Sequence, residues 1–125
     1  MRLGPVQSAR VASLPVRPDA DLDPRAALTA EATRVTDRLR GLALDRLTRR
    51  DEDGRTPAER ARAAAQVLAD LAASSAGREP REVPELAPHG VADQVAVTAS
   101  DVLAEGDEPA LREALVTLVE LRRSL

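Results

Sequence analysis

The chain contains no aromatic residue and no isoleucine, and this absence restricts the core that its 125 residues can build. Phe, Tyr and Trp bury the largest apolar areas per residue, so the core here has to be assembled from Leu, Val and Ala. Each buried Leu or Val contributes about 1.5–3 kcal/mol, and Ala contributes far less. Stability therefore depends on many close contacts between small side chains, and we expect a partner or self-association to reinforce it.

The composition also narrows the available chemistry. Asn, Lys and Cys are missing as well, which excludes Schiff-base catalysis on lysine, disulfides, thiolate nucleophiles and cysteine metal sites. The bias toward Ala, Arg, Leu, Val, Gly and Pro is typical of a very GC-rich genome, such as that of an actinobacterium. With 18 basic residues, all Arg, against 21 acidic ones, the net charge is −3, so we expect no strong field toward nucleic acid or an anionic membrane.

Residues 1–22 are predicted to form an extended or disordered arm, because prolines recur there and restrict the residues before them. Alternatively, the short apolar pieces of the arm, such as that around Leu14, lie across the helical body. The arm carries arginines and no uninterrupted apolar run, so it does not have the pattern of a secretory signal. No segment approaches the roughly 20 apolar residues of a membrane span, and we expect a cytoplasmic protein.

Residues 23–125 are predicted to form a single helical domain with four amphipathic helices at about 24–48, 57–76, 91–105 and 108–124. Asp23 precedes a proline at the first helical position, and Thr56-Pro57-Ala58-Glu59 has the pattern of a capping box. The last helix is expected to start near Asp107-Glu108-Pro109, where acidic residues again stand with an early proline. In the first helix the apolar stripe loses its register after Gly41. The helix therefore either bends there or packs its last turns against a different surface.

Two helical hairpins are the simplest arrangement of these four helices. The polar turn between the first two helices is short, which favours their antiparallel pairing, and a proline-rich crossover at 77–90 separates them from the last two. We therefore expect an all-α four-helix bundle built from two hairpins joined by this crossover, with the extended proline-containing arm in front.

No motif in the chain predicts catalysis, and no cofactor or metal is expected. His89 is the only histidine and stands in the crossover with no second histidine or thiol to complete a metal site, so we expect a structural role. A polar strip follows the third helix, most simply as its solvated face: Gln94, Thr98, Asp101 and Glu105. A small enzyme that uses the two carboxylates of this strip, with or without Mg²⁺, is one alternative.

The most specific surface prediction concerns the end of the first helix and the turn after it. Leu44 and Leu47 leave the apolar stripe there, next to a cluster of arginines, as in a surface that binds a helix or a second copy. The predicted interaction surface has five residues: Leu44, Arg46, Leu47, Arg49 and Arg50. Replacing both leucines with Asp is expected to weaken association and to leave helicity intact. Val97 and Val116 are weaker, isolated candidates for exposed apolar contacts.

Together these observations predict a non-enzymatic interaction or accessory module that binds a protein partner or itself, without a membrane contact. A nucleic-acid accessory protein is the second alternative, because Arg is the better phosphate ligand among the basic residues. Acidic residues interleave with the arginine cluster, however, and no aromatic side chain is present to stack on bases. The isoelectric point of about 5.2 is also low for such a domain.

Overall fold

The computed structural model describes residues 23–125, and the predicted N-terminal arm lies outside the described residues. Five helices make up this part of the chain: α1 Pro24–Arg40, α2 Leu44–Leu47, α3 Pro57–Ser75, α4 Val91–Glu105 and α5 Glu108–Ser124. A 3₁₀ turn, Pro88–Gly90, precedes α4. No strand occurs between residues 23 and 125, and the predicted all-α class is confirmed.

The helix starts follow the predicted capping signals. Asp23 and Asp107 each cap a helix through a carboxylate that accepts amide hydrogen bonds from the first turn. In the capping box of α3, the Thr56 hydroxyl accepts from the Glu59 amide and the Glu59 carboxylate accepts from the Thr56 amide, both at 3.0 Å. These caps satisfy amides that a helix start leaves unpaired. The bounds of α3, α4 and α5 accordingly lie within one residue of those predicted.

The first helix is shorter than predicted. It ends at Arg40 rather than near residue 48, and Gly41 occupies its C-cap. The chain then forms α2 as a separate helix of four residues, and Leu47 is buried in the core. The loss of register after Gly41 therefore marks a helix end, because Leu42 and Leu47 pack against the core only once the chain has left the axis of α1.

The helices pack differently from the two expected hairpins, and the most extensive contact is between α3 and α4. Helix α1 packs against α4 and α5, and α3 does the same, whereas α1 and α3 make few contacts with each other. Helix α1 runs antiparallel to α4, since Arg25 donates to the Leu103 carbonyl at one end and Arg40 pairs with Asp93 at the other. The expected hairpin of the first two long helices is therefore wrong. Residues 41–56, at up to about 3.5 Å per residue, are long enough to carry the chain across the bundle.

The core between the four long helices is made of Leu, Val and Ala, as the composition requires. Its largest fully buried side chains come from all four: Leu28, Leu39, Leu68, Leu118, Val35, Val95 and Val102. Helix α3 contributes mainly alanines, which let α4 approach it closely. The alanine stripe of this helix thus faces the interior, and close approach replaces the burial of large side chains.

The proline-rich crossover lies against the bundle as a strap, residues 78–87. Gln66 of α3 accepts a hydrogen bond from the Val83 amide at 2.8 Å and donates to the Arg81 carbonyl at 2.9 Å. Arg62 donates to the Val83 carbonyl, and Gln94 of α4 donates to the carbonyl of Pro84. These side chains supply the partners that a backbone without regular structure needs where it is taken out of water. The strap is therefore bound along α3 and α4.

Candidate interaction surface

The interaction surface predicted around α2 is only partly exposed. Leu44 keeps 60% of its surface exposed, whereas Leu47 keeps 5% and belongs to the core. Leu44 is the first residue of this single helical turn and Leu47 the last, and only the last residue reaches the core. Leu47 is therefore not available to a partner. The substitution Leu47→Asp would bury a carboxylate rather than test a surface.

The arginines of this surface are exposed and contact neighbouring groups. Arg49 pairs with Asp45 and Arg50 with Glu59, each at 3.3 Å, and Arg46 donates to the carbonyl of the last residue at 3.5 Å. Because the pairs place carboxylates among the arginines, the cluster presents little net charge to a nucleic acid. The exposed part of the surface remains a prediction: Leu44, Arg46, Arg49 and Arg50.

The turn before α3 holds a denser charge network. The Asp51 carboxylate accepts hydrogen bonds from the Arg60 guanidinium and from the amides of Asp53 and Arg55. The hydrogen bond from Arg60 is the main cause that lowers the pKa of Asp51 below its usual value. The same contact raises the pKa of Arg60. This network organises the turn around Gly54, whose φ of 78° favours glycine.

The polar strip predicted on α4 is not a solvated face. Gln94 and Thr98 are buried, because α4 lies under the strap and their side chains bind nearby carbonyls. Asp101 and Glu105 are exposed, and Glu105 pairs with Arg78 at the start of the strap. Among residues 23–125, no three His, Cys, Asp or Glu side chains come together as a possible metal site. The strip therefore divides into a structural half and an exposed half.

A more continuous apolar surface lies between α1 and α5. The two helices border an open groove of about 420 Å³, whose apolar lining is Ala26, Ala27, Ala30, Leu115 and Val119. Val116 stands next to these residues on α5 and is 55% exposed. The alanine methyl groups are too short to fill the space between the helices. We refer to these six residues as the α1/α5 face.

A buried carboxylate lies beside this groove. Glu31 lines it with 3% of its surface exposed, contacts Arg122 of α5 and pairs with Arg34 at 3.2 Å. The hydrogen bond to Glu31 raises the pKa of Arg122. The Arg122 contact ties α5 to α1, and two guanidinium groups on one carboxylate leave net positive charge at the edge of the groove.

Only part of this surface follows from the sequence. The spacing of three residues between Glu31 and Arg34 favours an ion pair along the helix. The burial of Glu31 does not follow from it, since helical periodicity places this residue outside the apolar stripe. Its second partner, Arg122, lies 91 residues away in the chain. Val116 was recognised as exposed, but the groove beside it depends on the packing of two distant helices.

Comparison with known proteins assigns no role to either surface. His89 is exposed in the 3₁₀ turn, and none of the helices in residues 23–125 is long and apolar enough to cross a membrane. Searches with the chain find no match among protein-family models, curated proteins or solved structures.

Proposed function

We propose that the protein is a non-enzymatic interaction module, and that its α1/α5 face receives a helix of a protein partner. The observation that supports this proposal is the open apolar groove beside an exposed valine. Apolar contact at the centre with arginine near the edge is typical of protein interfaces. Here Arg34 lines the groove and Arg122 contacts Glu31 at its edge, while Val116 adds an apolar side chain that the bundle itself does not cover.

A helix is the occupant that best fits this shape. The groove runs between two parallel helices, since residues early in α1 face the middle of α5 and Glu31 faces Arg122 near its end. A third helix packs into such a groove with the ridges of one element between those of the other two. We expect it to carry apolar side chains at helical spacing with acidic residues beside them, opposite Arg34 and Arg122.

Three exposed apolar residues on different helices allow a matched test. The full-length chain is used to capture its partner from a native host with nuclease present, and the identified partner is then purified. Calorimetric titration compares the wild type with Val116→Asp, Leu44→Asp and Val97→Asp. Val97 is 60% exposed on α4, outside the α1/α5 face, and serves as the control.

The proposal predicts that Val116→Asp weakens binding at least about tenfold, because a charge at an apolar contact loses hydration without gaining a partner. Val97→Asp is expected to bind as the wild type does, and circular dichroism verifies that all variants keep their helicity. An effect of Leu44→Asp alone would move the contact to the surface around α2. Association that disappears with nuclease would favour the nucleic-acid alternative, and equal binding by all variants would refute the α1/α5 face.

A further inference from the structure

The outer side of α5 carries charges in an order that is complementary to itself. Residues four apart form a ridge on the surface of an α-helix. On α5 one such row consists of Glu108, Arg112, Val116 and Glu120, and Arg123 follows three residues later. We call these five residues the α5 ridge. All five are exposed. Over about 22 Å the ridge therefore reads negative, positive, apolar, negative and positive.

This order matches a second copy only in the antiparallel direction. When two α5 helices cross with Val116 opposite its counterpart, Arg112 lies opposite Glu120 of the second copy. Glu108 then lies opposite the end of the ridge that carries Arg123. Each contact occurs twice because of the twofold axis, so all four charged pairs join opposite signs. Parallel pairing would place every charge opposite its like, which is unfavourable.

We propose that the helix received by the α1/α5 face is α5 of a second copy, in an antiparallel contact centred on Val116. This inference rests on the proposed function and names its partner. The ridge adjoins the groove through Leu115 and Val119, so the second helix covers apolar surface on the side where alanines leave the groove open. The resulting dimer adds the burial that an aromatic-free core lacks.

The size of the contact sets the expected affinity. Helix α5 has 17 residues and is about 25 Å long. A contact one helix wide with part of the neighbouring groove falls at the small end of specific interfaces, at or below about 1,200 Å² of total buried area. We therefore expect a dissociation constant in the micromolar range, on the order of 1–100 μM.

Sedimentation equilibrium of the full-length chain tests this proposal. Interference optics are needed because the chain has no aromatic residue to absorb in the near ultraviolet. The wild type is expected to dimerise, and Val116→Asp is expected to raise the dissociation constant at least about 50-fold, since the twofold axis places two carboxylates against each other. Val97→Asp, on α4, is expected to leave it unchanged.

Charge reversal tests the register. Arg112→Glu and Glu120→Arg, each alone, bring like charges together twice in the dimer, and each is expected to weaken it about tenfold. The double variant restores opposite signs and is expected to recover the affinity. An effect within one helix cannot explain a recovered affinity. The 2.7 Å ion pair between Glu108 and Arg112 is absent in the double variant, as it is in Arg112→Glu alone.

A disulfide gives an independent readout of the same register, because the natural chain has no cysteine. In the proposed contact Val116→Cys places two thiols near the twofold axis and forms an intermolecular disulfide on mild oxidation. Val97→Cys provides the control and is expected to remain monomeric under the same conditions.

The outcomes separate this inference from the proposed function. A wild type that stays monomeric to about 1 mM, well above the expected constant, overturns self-association. If Val116→Asp then still weakens binding to another protein, the proposed function stands without it. A dimer whose double charge reversal does not recover affinity overturns the antiparallel register. A dimer that is unaffected by Val116→Asp overturns both the inference and the α1/α5 face.

Discussion

The two leucines of α2 give a direct test of the packing, because they are chemically identical and three residues apart yet differ in burial. Leu47 is 5% exposed and belongs to the same core cluster as Leu39 and Val91, whereas Leu44 is 60% exposed. Leu47→Ala removes core volume, and Leu44→Ala removes a side chain that is mostly in water. The two substitutions are therefore expected to have very different effects on the free energy of unfolding.

The structure also indicates the size of this difference. A buried Leu→Ala substitution costs about 2–5 kcal/mol, with the larger values at sites that cannot collapse. Helix α2 is short and is connected by a loop at each end, and a cleft of about 150 Å³ adjoins Leu47. Helix α2 can therefore move inward and partly fill the space that the substitution leaves. We expect a loss of about 2–3 kcal/mol for Leu47→Ala and a change within about 0.5 kcal/mol for Leu44→Ala.

Urea unfolding and thermal unfolding, both followed by far-ultraviolet circular dichroism, measure both variants, since the chain offers no aromatic fluorescence. For a domain of this size, Leu47→Ala is expected to lower the melting temperature by roughly 8–20 °C, and Leu44→Ala by less than about 4 °C. The slope of the free energy of unfolding against urea concentration should be the same for the wild type and the two variants. Equal losses, or a larger loss for Leu44→Ala, would show that α2 does not pack as described.

Three further predictions concern polar contacts. Glu31→Gln removes the buried charge that contacts Arg122 and is expected to lower the free energy of unfolding by about 1–3 kcal/mol in urea titrations; no change would refute the role of the pair. The Arg60 contact lowers the pKa of Asp51 in the folded state. The ionised Asp51 therefore stabilises the fold above about pH 4, and this stabilisation is lost as the pH falls below that value. Asp51→Asn should flatten the fall in melting temperature over that acid range, and an unchanged slope would contradict this. Gln66→Ala is expected to lower the free energy of unfolding by about 1–3 kcal/mol and to speed hydrogen exchange of the strap amides. Unchanged exchange would show that other contacts hold the strap.

The features that were predicted correctly depend on residues close together in the chain. The capping box of α3 spans Thr56 to Glu59, and Asp107 caps α5 through an amide three residues on. Such contacts form whenever the local chain becomes helical, so four residues of sequence suffice to place a helix start. The lining of the core followed equally well from apolar periodicity, because the stripe of each long helix has to face the other helices.

The features that were missed depend on residues brought together by the fold. Periodicity assigns a polar residue to the solvated side, but a polar group becomes buried wherever a distant partner satisfies it. Arg122 does this for Glu31, and the Pro84 carbonyl of the strap does it for the amide nitrogen of Gln94. Leu47 reached the core for a related reason: the chain turned away from α1 after Gly41, and no local signal gives the direction of that turn.

The same lack of large side chains that limits the core also leaves the α1/α5 face open. Between α3 and α4 the alanines are an advantage, because nothing bulky stands between the helices and they approach closely. Between α1 and α5 the ion pair of Glu31 and Arg122 lies beside the apolar core contact of the two helices. On the outer side of this contact Ala26 and Ala30 present only methyl groups, which leave a groove between the helices. An incoming helix with larger apolar side chains, as proposed for this face, would supply the burial that these alanines do not.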